Sequence, residues 1–79
     1  MAGSLAEEVR ARPKLPAPAV RQAIRRQADV PQDRMARELG VHRVTFLRWE
    51  RGDRTPRGAH LDAYSRLLRE LDEAMRAVA

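Results

Sequence analysis

Seventy-nine residues suffice for one small domain, and the absence of cysteine excludes disulfides and thiolate metal sites. Sixteen basic against eleven acidic residues give a net charge of +5, carried by residues 1–57 (thirteen Lys/Arg, seven Asp/Glu) rather than 58–79 (three and four). A basic front with a near-neutral tail suits a polyanion bound on one side, but fifteen of the sixteen cations are arginine and asparagine is absent, which also fits a GC-rich source.

Other classes are set aside on similar grounds. His42 and His60 stand eighteen positions apart without a ligand cluster, so no metal or other cofactor is expected. No apolar run approaches the roughly twenty residues of a membrane span. Glu7, Glu8 and Pro13 interrupt the place where a signal peptide needs apolar residues, so the chain is expected in the cytoplasm. There is no nucleophile–base pair, glycine-rich phosphate loop or paired-carboxylate pocket, so no enzyme activity and no small-molecule ligand are expected.

In chain order, residues 1–15 read as an N-terminal arm. Ser4-Leu5-Ala6-Glu7 is a capping-box pattern that starts one or two helical turns through Val9 and Arg10, and Pro13, Pro16 and Pro18 then keep the chain extended. Three fates are open to the arm: disorder, packing of Leu5 and Val9 on the body, or alignment of Arg10, Arg12 and Lys14 along DNA. Disorder or loose packing is the favoured one.

The first core helix is predicted over 18–28, with Pro18 in its first turn and a thin buried stripe of Val20, Ala23 or Ile24, and Ala28, followed by Val30. A second helix starts near Gln32. Ala36 is small where another helix must cross closely, and Gly40 sits where the chain must turn left-handed. The third helix begins at Val41-His42 and has two faces. Phe46, Trp49 and Glu50 turn inward, with Phe46 and Trp49 as core rather than stacking platforms; Val44, Leu47, Arg48 and Arg51 form an i, i+3, i+4, i+7 stripe outside. Two arginines beside two exposed apolar residues make an odd solvent face but a sensible DNA face. Residues 32–51 thus have the layout of a helix-turn-helix presenting a recognition helix to the major groove.

Gly52-Asp53-Arg54-Thr55-Pro56-Arg57-Gly58 is a breaker cluster rich in donors. Beyond it, Leu61, Tyr64, Leu68, Leu71, Met75 and Val78 step by three and four through a final helix over about 59–78. Its second half either folds back on the domain or pairs with another copy. Pairing is favoured slightly, which makes Leu71, Met75 and Val78 a candidate dimer seam.

Arg25, Val30-x-Gln32, Ala36, Leu39-Gly40-Val41, Thr45, Trp49-Glu50-Arg51-Gly52 and Arg54-Thr55-Pro56 together resemble the lambda-repressor/Cro-type, or xenobiotic-response-element-type, helix-turn-helix family over roughly residues 16–71. The resemblance implies an all-α fold, a compact four- to five-helix bundle occupying 16–79, in which the final helix completes the core. It implies a loop at 52–58 lying against phosphates, and base reading by Arg43, Val44 and Arg48. It also implies that Arg25 pairs with Glu50, a carboxylate that would be costly if buried alone. Pro31 and the Val41-His42 start depart from the family, which often places a capping hydroxyl there.

Chemistry assigns the remaining roles. Arg43 and Arg48 suit bidentate contacts to guanine O6 and N7, while Val44 and also Leu47 suit a thymine methyl. Gln32, Thr45, Arg51, Arg54 and Arg57 suit phosphates, Gln32 because it opens a helix. The expectation is a sequence-specific regulator of double-stranded DNA, a bacterial or bacteriophage repressor without an attached sensor domain, acting as a homodimer at least on DNA. A DNA-architectural or recombination-directionality factor is the nearest alternative. A protein-interaction module, such as an antitoxin or an inhibitor of another regulator, is the alternative of a different class.

Overall fold

Five helices follow one another in the computed structural model, which describes residues 4–11 and 14–78: α1 (Leu5–Ala11), α2 (Pro18–Gln27), α3 (Gln32–Leu39), α4 (Arg43–Arg51) and α5 (Gly58–Val78). The Glu7 N–H donates to Ser4 Oγ at 3.2 Å, so the hydroxyl satisfies one of the free amides that open α1. Leu5 is exposed and does not pack on the body. The side chains of Val9 and Arg10, and the whole of Arg12 and Pro13, lie outside the described residues.

α2 begins at Pro18, whose fixed φ and missing N–H cost nothing in a first turn. Its inner face is Arg21, Ile24, Arg25 and Ala28: Ile24 and Ala28 of the expected stripe lie on it, but Val20 is 46% exposed and Ala23 is also exposed. The reason is polar. Arg25 is buried at the contact with α4, and a helix with so few apolar residues takes its rotation from that one demanding side chain.

Gly40 takes φ +69°, and the Val41 N–H reaches back to the Ala36 carbonyl at 3.0 Å, closing α3 with a left-handed cap that turns the chain into α4. α4 starts one residue later than Val41-His42 would place it, at Arg43. Neither Pro31 nor His42 makes a side-chain cap bond, so both helices open without the hydroxyl cap common in the resembled family. Gly52 closes α4 with φ +82°, and a Cβ there would stand 2.9 Å from Pro18 Cγ. Only glycine meets both conditions, and its bareness lets the start of α2 press against the exit of α4.

Met35, Ala36 and Leu39 of α3, Phe46 and Trp49 of α4, and Tyr64 and Leu68 of α5 form the buried core. The Tyr64 ring meets Phe46 edge-on at 5.5 Å between centroids and stacks with Trp49 at 6.1 Å. Residues 14–16 are tied to this body. Leu15 packs at the core edge, Ser65 Oγ donates to the Lys14 carbonyl at 3.3 Å, and Arg21 Nε donates to the Pro16 carbonyl at 2.7 Å. Along α5, Leu71 packs against the core edge, Met75 is half-buried beside Gln27, and Val78 is 82% exposed.

The Tyr64 hydroxyl is buried without a hydrogen-bond partner among the described residues. Burial, and then the charge of Glu50, push its pKa well above the usual tyrosine value. The folded state therefore keeps a proton that the unfolded chain loses above pH ~10, and stability falls as pH rises beyond that point. Tyr64→Phe removes a desolvated and unsatisfied group, so thermal melts at neutral pH should show equal or higher stability, and this alkaline loss should shrink. A drop of more than about 1 kcal/mol would mean that the hydroxyl has a bonded partner, such as an ordered water.

Candidate nucleic-acid interface

Glu50 is the hinge of the site. It points from α4 into the body at 2% exposure, where a lone carboxylate would be strongly unfavourable. Arg25 meets it with a two-point fork, Nε to Oε2 at 2.6 Å and Nη2 to Oε1 at 3.1 Å. A further Arg25 N–H, on Nη1, donates to the Val30 carbonyl at 3.1 Å, and Gln32 Nε2 donates to Glu50 Oε1, also at 3.1 Å. One buried carboxylate thereby joins α2, the turn after it, the start of α3 and the inner side of α4.

With Phe46, Trp49 and Glu50 inward, the opposite side of α4 is fixed. Val44 is 57% exposed, Arg43, Arg48 and Arg51 are exposed, and Thr45 and Leu47 are half-buried. Gln32, a phosphate candidate by its place at a helix start, has both ends of its side chain engaged by the protein: its Nε2 donates to Glu50, and its Oε1 accepts from Arg43 Nη2 at 3.3 Å. Arg51 reaches Asp53 at 3.1 Å in an exposed pair that contributes little to stability.

Beyond Gly52 the chain folds back along α4. Thr45, Arg48, Arg54, Thr55 and Arg57 line one open cleft floored by Trp49. The His60 ring lies 5.4 Å from the Trp49 ring, tilted against it. Arg48 of α4 and Arg54 and Arg57 of the loop therefore share one basic cleft. Of the nearby carboxylates, Glu50 is buried and paired with Arg25, and Asp53, which also lines the cleft, pairs with Arg51.

Arg21 has a part in this arrangement that the sequence analysis does not assign to it. Its Nη1 donates to the Trp49 carbonyl at 2.8 Å, beside the Gly52 N–H that reaches the same oxygen at 3.2 Å, and adds a cation at the negative end of α4. Arg21 stands four residues before Arg25, so it shares that residue's face, and the spacing was the available clue. Among the described residues no group of three or more His, Cys, Asp or Glu could hold a metal ion, and no helix is long and apolar enough to cross a membrane.

A small all-α body with a two-helix unit turning at a left-handed glycine, and a second helix that is basic outside and buried inside, defines a DNA-binding helix-turn-helix domain. A family model described as helix-turn-helix matches residues 22–73, and the chain belongs to that family, the DNA-binding transcription regulators of lambda-repressor/Cro type. The family is one of regulators rather than enzymes. No curated protein and no solved structure matches the chain. The matched span leaves out α1 and the last residues of α5.

Proposed function

We propose that the chain is a sequence-specific repressor of bacterial or bacteriophage type that acts in the cytoplasm as a homodimer on double-stranded DNA, with α4 in the major groove. The observation that carries this reading is the outer face of α4, where Arg43, Val44 and Arg48 stand exposed beside the arginine-lined cleft of the following loop. Arg43 and Arg48 read guanines, and Val44, with Leu47 at its edge, covers a thymine methyl. Arg51, Arg54, Arg57, Thr45 and the backbone N–H of Gln32 hold phosphates on either side. The last turns of α5 supply the two-fold contact through Met75 and Val78, with Leu71 at its root, where it also serves the core of its own chain.

Selection of bound sites from random DNA tests DNA binding, sequence preference and half-site symmetry together. Half-site centres about 10 base pairs apart, or a multiple of a helical turn, support the dimer. Sedimentation alone and on such a site completes the test, because a protein that stays monomeric in both removes the α5 seam.

The two groups of arginines are expected to separate in binding titrations. Arg48→Ala weakens binding to the selected site by roughly 1–3 kcal/mol and leaves random DNA nearly unaffected. Arg54→Ala weakens all sequences alike and reduces the salt slope by about one. Equal losses by both variants on both kinds of DNA would remove the division between base readers and phosphate clamps.

A further inference from the structure

We propose that Arg21 is a positioning residue for the phosphate clamp, tying the start of the 53–57 loop to α5 through the segment that precedes α2. The inference rests on the DNA-binding reading above and deepens it. Arg21 is half-buried and bridges two backbone acceptors: its Nε donates to the Pro16 carbonyl at 2.7 Å and its Nη1 to the Trp49 carbonyl at 2.8 Å. These two N–H groups lie on different edges of one rigid plane, so the guanidinium fixes the spacing between residue 16 and the last turn of α4.

Both ends of the bridge are anchored. On one side, Leu15 packs at the core edge and Ser65 of α5 donates its hydroxyl to the Lys14 carbonyl at 3.3 Å. On the other, the Gly52 N–H shares the Trp49 carbonyl at 3.2 Å, and the Asp53 and Arg54 N–H groups reach back to the Arg48 carbonyl at 2.9 and 3.3 Å. Arg54 thus leaves α4 directly from the turn that Arg21 holds, while Arg57 immediately precedes α5. The loop is strung between two supports, one being α5 itself and the other joined to α5 through Arg21 and residues 14–16. Cations that set the register on a phosphate backbone must be held to within roughly 0.5 Å, which an exposed loop does not achieve without such outer support. Arg21 and residues 14–16 precede the matched family span, so this chain supplies the brace from outside it.

The test is a double-mutant cycle with salt titrations on the selected site and on random DNA, at a temperature where melting curves show every protein folded. Arg21→Lys keeps the positive charge but replaces the planar fork by one ammonium on a flexible stem, which cannot hold both carbonyls in a fixed geometry. It should weaken binding to both kinds of DNA alike, by roughly five- to tenfold near about 0.1 M salt, and lower the salt slope by about one. A merely structural role would lower the melting temperature and leave the slope of the folded protein unchanged. On a background of Arg54→Ala with Arg57→Ala, the same substitution should change affinity by less than about twofold, since a residue acting only through the clamp has nothing left to place.

Ser65→Ala releases the far end of the brace with Arg21 intact. It should show a smaller loss of the same kind, roughly two- to threefold, and it takes the place of Arg21→Lys in the cycle should that variant not fold. Wild-type affinity and slope in the folded variant overturn the brace and leave the DNA-binding reading standing. Losses that add to those of the clamp variants would make Arg21 a phosphate ligand in its own right, and a loss confined to the selected site would place its effect on the base readers; either overturns the proposal. A wild-type protein that binds neither DNA removes the DNA-binding reading and the brace together.

Discussion

Arg25→Ala should lower the free energy of unfolding by about 3–5 kcal/mol, a large fraction of what so small a domain possesses. Glu50 would keep its place, at 2% exposure, with only the Gln32 amide at 3.1 Å still facing it. The loss is the desolvation of an uncompensated carboxylate and not merely the value of two hydrogen bonds. Replacing both partners by apolar residues, as in Arg25→Met with Glu50→Leu, should recover much of the stability, because neither charge is then stranded. Urea titrations of the three proteins provide the check. A single variant as stable as wild type would mean that water reaches Glu50, and a double variant no better than the single would mean that the fork itself, not the stranded charge, carries the effect.

Phe46→Ala should cost a comparable ~3–5 kcal/mol, since the ring is fully buried and meets the Tyr64 ring edge-on at 5.5 Å. Only two positions earlier, Val44→Ala should change stability by no more than ~0.5 kcal/mol, because that side chain is 57% exposed. Its effect should appear instead as weaker binding to the selected DNA site. The two neighbours thus report on opposite faces of one helix, and melting curves with paired binding titrations distinguish them. If Val44→Ala destabilised the protein as much as Phe46→Ala, the rotation of α4 on the body would be other than described here.

The helix-turn-helix was legible because its signals are local. Gly40 marks a left-handed turn that few other residues tolerate, and the spacing of Phe46, Trp49 and Glu50 against Val44, Leu47, Arg48 and Arg51 separates two faces without reference to any other helix. The phase of α2 was not legible. Val20 and Ala23 carry weak apolar signals, and an arginine looks like a surface residue until the carboxylate that it meets is known. The partners of the Gln32 side chain were not legible for a related reason: nothing nearby in sequence announces that Arg43 and Glu50 occupy its two ends.

The sequence by itself determined the helical class, the turn, the inward and outward sides of the recognition helix, and the arginines available to its outer face, all of which depend on spacings of a few residues. Tertiary structure decided how the polar groups are joined, the Arg25–Glu50 pair being the one that the family resemblance also implies. Arg25 with Glu50 and Arg21 with the Trp49 carbonyl span 25 and 28 positions and depend on how α2 crosses α4. It also decided how the α5 stripe divides, with Tyr64 and Leu68 inside, Leu71 at the edge and Val78 in the open. A seven-residue apolar repeat is the same whether it faces its own domain or a second copy, and only the positions of the other helices show where the core of this chain ends.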